Sequence, residues 1–169
     1  KYPEFKDDFK AELFNPEEWA SVFKRSGAKY VVLTSKHHDG YCLYPSKEAS
    51  ISYDMPWNSV VSGPKRDLAG DLTKAVRAEG IKMGMYYSIW DWYNPYWTKR
   101  QQKILSSGSL SVDTKAKGSK KSKYSKQEVA AAEAGLDKYI HEVMYPQVKQ
   151  LVNDYEPALL FSDGDWWMD

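Results

Sequence analysis

Tyr30-Val31-Val32-Leu33-Thr34-Ser35-Lys36-His37-His38-Asp39-Gly40 decides the fold class of this chain, because an apolar, β-branched run passes directly into a cluster of titratable groups. The run is too short for a core helix and has the composition of a strand buried on both faces, as in a parallel sheet. It is preceded by Asn15-Pro16-Glu17-Glu18, which reads as a helix start: Asn15 as N-cap, Pro16 at the first helical position and Glu18 placed for a capping box. Trp19, Val22 and Phe23 continue at helical spacing, and Gly27 ends the run.

The same order recurs twice. Residues 41–65, rich in Ser, Pro and Asn, read as a loop, and helical period returns from Asp67 through Leu72, Ala75 and Val76 to Gly80. A second strand is expected over 81–88, followed by the aromatic loop Ile89-Trp90-Asp91-Trp92-Tyr93-Asn94-Pro95. Long helical character over 127–154, which Pro146 should break or kink, leads to a third strand at Ala158-Leu159-Leu160-Phe161. Alternating helices and short apolar strands predict an α/β fold with a parallel sheet. Three strands cannot close a barrel, and a (β/α)₈ barrel takes about 250 residues, so a partial domain is expected.

Between these segments, residues 106–125 turn to Ser, Gly and Lys with few apolar side chains, which reads as a solvated insertion loop at about 106–126. A basic patch for nucleic acid or heparin would call for interleaved aromatics, which the tip of the lysine-rich stretch lacks. The whole chain of 169 residues carries 24 basic and 23 acidic side chains, a net charge of +1, so overall electrostatics recruit neither nucleic acid nor an anionic membrane. No run approaches the roughly 18 apolar residues of a membrane helix, and the polar first ten residues do not resemble a signal; any export signal would lie outside this chain. Seven Trp and thirteen Tyr offer flat faces with polar rims, suited to sugar rings as well as to a core. A neutral small molecule or glycan is the expected partner.

In a parallel sheet, function gathers at the C-terminal ends of the strands. Three loaded segments occupy that position: His37-His38, Tyr86-Tyr87 and Asp163. Asp163 is a carboxylate just past an apolar run with Gly164 beside it, as a nucleophile requires, although Asp-Gly is also a turn pair. His37, His38 and Asp39 invite a metal reading, but adjacent strand residues point to opposite faces and no further His or Cys nearby completes a ligand set. Imidazoles that hydrogen-bond sugar hydroxyls need no metal, and one of the pair could be core. His141 reads as an ordinary helix residue. Tyr86 could place a hydroxyl in a pocket while Tyr87 faces the other way, though either could pack in the core. Cys42 has no partner base identifiable in sequence.

Taken together, Asp8-Phe9, Phe14-Asn15-Pro16-Glu17-Glu18-Trp19, Gly27-Ala28-Lys29-Tyr30, Lys36-His37-His38-Asp39-Gly40-Tyr41, Pro64-Lys65-Arg66-Asp67, Gly84-Met85-Tyr86-Tyr87-Ser88 and Ser162-Asp163-Gly164 resemble the α-L-fucosidases of glycoside hydrolase family 29. The resemblance covers most of the chain except the lysine-rich insertion. It implies a TIM-like (β/α)₈ barrel, of which this chain covers a central portion, and release of α-linked L-fucose from glycans or glycoconjugates with retention. It further implies Asp163 as nucleophile, His37 and His38 as a fucose-binding pair, Tyr86 as a pocket tyrosine, no metal or organic cofactor, and a secreted, periplasmic or lysosomal setting. Phe161 stands where many relatives have a sugar-contacting Trp, so the indole N–H is lost there. The acid/base carboxylate is expected beyond Asp169, Asp165 and Asp169 not matching it, and the chain alone is expected to be inactive. A noncatalytic glycan-binding protein on a hydrolase scaffold is the alternative.

Overall fold

The computed structural model describes residues 2–106 and 124–164. Its sheet has three parallel strands, β1 (Tyr30–Lys36), β2 (Lys82–Ser88) and β3 (Leu159–Asp163), in the order β1-β2-β3. Seven α-helices accompany it among the described residues: α1 (Phe5–Asp8), α2 (Pro16–Arg25), α3 (Lys47–Tyr53), α4 (Leu68–Ala78), α5 (Lys99–Ile104), α6 (Lys126–Tyr139) and α7 (Tyr145–Tyr155). Most of the expected insertion, together with Asp165 and Asp169, falls outside the described residues.

The helix starts follow their caps. Asn15 Oδ1 accepts from Glu18 N at 3.0 Å and Asp67 Oδ1 from Gly70 N at 2.8 Å, each satisfying a backbone donor of the first turn. Apolar positions at helical spacing then put Leu72, Ala75 and Val76 of α4 against Met83, Met85 and Tyr87 of β2, all buried in one core with Leu151 and Tyr155 of α7. Each fully buried Leu, Val or Met side chain among them contributes about 1.5–3 kcal/mol of transfer free energy.

Strand β1 departs from the expectation of two buried faces. Tyr30 is 63% exposed, Val31, Val32 and Leu33 are half-buried and Thr34 is exposed. As an edge strand of this sheet, β1 presents Val31 and Leu33 to the helix layer, while its other face has no equivalent cover among the described residues. The stretch read as loop contains α3, started by Ser46, whose hydroxyl accepts from Ala49 N at 3.2 Å. Helix α5 was likewise unforeseen; its capping box joins Thr98 and Gln101. Strand β3 runs two residues further than expected, because Tyr87 still pairs Ser162 and Ser88 pairs Asp163. Pro146 does not break its helix: a π turn over Ile140–Met144 precedes α7 and widens the backbone just where the proline ring and its missing N–H would disturb an α-helical ladder.

Candidate active site

Parallel strands of matched register bring their C-terminal ends to one edge, so the His37-His38 turn, Ser88 and Asp163 converge there. Tyr86 opposes Phe161 directly, and their rings stack with centroids 5.9 Å apart at 22°. On its other side Tyr86 stacks on His37 at 5.6 Å and 13°. A row of three rings, His37, Tyr86 and Phe161, therefore crosses the strand ends, and Phe161 keeps 53% of its surface exposed.

The phenol of Tyr86 donates to Asp163 Oδ2 at 2.6 Å. Bonds of this length to a carboxylate are charge-assisted and directional. Burial, and then the Asp163 carboxylate, hold the Tyr86 hydroxyl above the ordinary phenol range, so it stays a donor. Tyr87 faces the helix layer instead, fully buried, and donates to Gln147 Oε1 at 2.8 Å. Strand alternation thus separates the two tyrosines as expected.

His37 and His38 do not separate in that way. Both lie past the last residue of β1, in a turn, and their rings stand 4.3 Å apart. His38 stacks on Trp92 at 4.9 Å, and its Nδ1 is 3.1 Å from the Trp90 carbonyl and 2.5 Å from Ser88 Oγ. A carbonyl only accepts, so this network assigns the proton of the neutral ring to Nδ1 and leaves Nε2 as its acceptor. Ser88 Oγ in turn donates to the Trp90 carbonyl at 2.8 Å. The expected argument against a metal from strand alternation therefore fails, yet no group of three His, Cys, Asp or Glu able to hold an ion occurs among the described residues. Asp39 instead accepts from Tyr41 N at 2.8 Å. His141, on the π turn, sits exposed beside Asp137 at 3.4 Å.

The histidine turn divides two hollows. One, of about 320 Å³, is bounded by His37, Asp39, Tyr41 and Trp57. The other, of about 550 Å³, is bounded by His38, Trp90, Trp92, Gln102 and Gly164. Gly164 has a positive φ of 98°, and a Cβ there would come 3.0 Å from Trp90 Cβ. Its smallness accommodates the Trp90 side chain at the wall of this second hollow.

Beneath the histidines lies a buried ion pair that sequence reasoning missed. Lys36 Nζ is 2.5 Å from Asp91 Oδ1, with side chains 0% and 1% exposed. Burial pushes the Asp91 carboxyl above its ordinary value and the Lys36 ammonium pulls it back. Asp91 belongs to the aromatic loop already singled out, but nothing in the pattern around Lys36 marks it as buried.

A family model described as Alpha-L-fucosidase matches residues 1–169. The chain is 37% identical over 169 residues to an alpha-L-fucosidase of Dictyostelium discoideum, covering 98% of this chain and 29% of that protein. It is 36% identical over 165 residues to the tissue alpha-L-fucosidase of Homo sapiens, covering 98% and 28%. Among solved structures it is similar to the alpha-fucosidase of Thermotoga maritima in complex with fucose, at 36% identity and a TM-score of 0.66, covering 97% of this chain and 32% of that one. A family 29 alpha-L-fucosidase of Bacteroides thetaiotaomicron, trapped as a covalent intermediate with 2-fluoro-fucosyl fluoride, is 29% identical with a TM-score of 0.69, covering 96% and 30%. The chain thus spans less than a third of the length of each of these relatives.

Proposed function

The chain belongs to the alpha-L-fucosidase family, and from that premise we propose that it forms part of the (β/α)₈ catalytic domain, residues 1–169 of which include a lysine-rich insertion, of a retaining exo-glycosidase that removes α-linked L-fucose from glycans or glycoconjugates. The observation that carries this reading is the Tyr86 hydrogen bond to Asp163 Oδ2, which fixes one carboxylate oxygen at the strand ends and leaves Oδ1 for attack. Asp163 Oδ1 bonds to the anomeric carbon as the bond to the aglycone oxygen breaks, and a second carboxyl group, expected beyond Asp169, gives that oxygen its proton. Water then attacks the same carbon, loses its proton to the second carboxylate and frees Asp163, so two inversions give net retention. His38 Nε2 accepts from a sugar hydroxyl, His37 supplies a second polar contact, and the exposed Phe161 ring covers an apolar C–H face of the sugar.

Incubating the full-length enzyme with 2-fluoro-fucosyl fluoride tests the assignment. The 2-fluorofucosyl mass should appear on the peptide that contains Asp163, with the anomeric fluoride released. Asp163→Ala should lose the label and roughly 10⁶-fold in turnover, the scale of removing a group that forms the covalent intermediate. Label on another peptide, or near-normal turnover of the variant, would sink the assignment.

A further inference from the structure

The histidine turn owes its position to residues that never reach the cleft. A bulge in β1 is the first of them: Thr34 pairs Tyr86, but Lys36 pairs Tyr87 rather than Ser88, so Ser35 is the extra residue. Bulges re-aim side chains next to active sites. Here the slip moves Lys36 onto the buried face of Tyr87, with Nζ 4.1 Å from that ring's centroid, while Ser35 Oγ donates to the Tyr86 carbonyl at 2.8 Å. Lys36 Nζ then meets Asp91 Oδ1 at 2.5 Å and Tyr139 Oη at 3.2 Å, and Tyr139 donates onward to the Ile89 carbonyl at 2.8 Å.

Asp91 closes the network from the loop after β2. Its Oδ2 lies 3.5 Å from the Tyr53 hydroxyl, which also reaches the Asp39 carbonyl at 3.2 Å; Trp57 Nε1 donates to that same carbonyl at 3.0 Å. Gly40 passes directly over the pair, with φ at 76°; a Cβ there would stand 2.3 Å from the Tyr53 hydroxyl and 2.8 Å from Asp91 Oδ2. The two loops also meet at the cleft, where Trp92 N donates to the His38 carbonyl at 2.7 Å and His38 Nδ1 engages Ser88 and Trp90.

Buried ion pairs are a weak source of stability, since desolvation offsets their attraction and apolar replacements of like volume are often neutral or stabilising. What this pair does is tie the residue just before His37 to the residue between Trp90 and Trp92. We infer that Lys36 and Asp91 are positioning residues that lock the 37–40 turn and the 89–92 loop in one relative arrangement, and so set the rings of His37 and His38 for the sugar. The inference rests on the fucosidase reading given above.

A double-mutant cycle in the full-length enzyme tests it. Lys36→Met/Asp91→Leu removes both charges at similar volume and should melt close to the parent, while kcat/KM on an activated aryl α-L-fucoside falls about 10- to 100-fold, the scale of a misplacement of about 1 Å. In a His38→Ala background the same two substitutions should cost no more than about twofold, because residues that act through one another are non-additive. Parent-like turnover of the apolar pair, or equal losses in both backgrounds, overturns the inference; a purely structural pair gives equal losses. Should the apolar pair fail to fold, Tyr53→Phe carries the cycle, with about a fivefold loss when His38 is present and none when it is absent. Equal losses there overturn it as well. A parent that does not turn over fucosides overturns the functional reading and this inference together, whereas an active parent with an unimpaired apolar pair overturns the positioning role alone.

Discussion

Tyr86 and Asp163 stand two register positions apart on neighbouring parallel strands, and the phenol of the first donates to Oδ2 of the second at 2.6 Å. Tyr86 opposes Phe161, so its side chain leans along β2 toward the strand ends to reach the carboxylate. The bond spans 77 residues of sequence and needs only that β2 and β3 keep their register.

Tyr86→Phe keeps the ring that stacks between His37 and Phe161 and removes only the donor. A hydrogen bond to a charged group contributes about 1.5–3 kcal/mol, so kcat/KM should fall roughly 10- to 100-fold with little change in melting temperature. The folded state holds the Tyr86 hydroxyl above its ordinary value, so the protonated form is favoured by the fold. Its contribution is complete below about pH 10, the unfolded phenol value, and is lost only as pH rises through the higher folded value. The pH–rate profiles of parent and Tyr86→Phe should therefore share one shape below about pH 10. An alkaline limb that appears below that pH in the parent and disappears in the variant would contradict the assignment.

Gly164→Ala should cost both stability and rate. Its φ of 98° is strained for a side chain, at about 1–3 kcal/mol, and the new methyl would press on Trp90 Cβ at 3.0 Å. Trp90 carries the carbonyl that holds His38 Nδ1, so the displacement reaches the histidine. Gly27→Ala is the matched control: its φ is 80°, yet a Cβ there meets nothing within 4 Å. Denaturant unfolding should show a loss for both variants, the larger for Gly164→Ala, whereas turnover should fall only for Gly164→Ala. Equal turnover in both would show that the Trp90 contact does not reach the site.

These dependencies mark what the sequence could and could not disclose. The three strands, α2 and α4 were legible because their apolar periods and caps are local signals, and the strand ends then located His37, Tyr86 and Asp163. Helix α3 was obscured by the Ser- and Pro-rich composition around Ser46, and α5 by an aromatic loop, although Thr98 and Gln101 have capping-box spacing. Side-by-side histidine rings arise because β1 ends at Lys36, so strand alternation governs neither His37 nor His38. Lys36 is the clearest case: a lysine at a strand end reads as solvated, and only a bulge together with Asp91, 55 residues away, makes it a buried residue.

Cys42 offers a test of packing beneath the site that is independent of turnover. The thiol is 0% exposed, and burial pushes its pKa up to about 12. Gln147 Nε2 lies 3.5 Å from Sγ, and the Cys42 backbone bridges to Lys36 and Asn58, so the thiol sits where the 36–42 segment joins the core. Alkylation requires the thiolate and access to it, and the folded state denies both. Iodoacetamide at about pH 8.5, near the ordinary thiol value, should therefore leave the Cys42 peptide unmodified in the folded protein and modify it fully in denaturant. The raised value also fixes a sign: the fold favours the protonated thiol, so the contribution is complete below about pH 8.5 and declines as pH rises toward 12. Cys42→Ala should lose stability at neutral pH through the missing sulfur, yet show a flatter decline than the parent between pH 9 and about 12. Stoichiometric labelling of the folded protein, or an unchanged alkaline slope in the variant, would mean that the segment beneath the histidines opens to solvent.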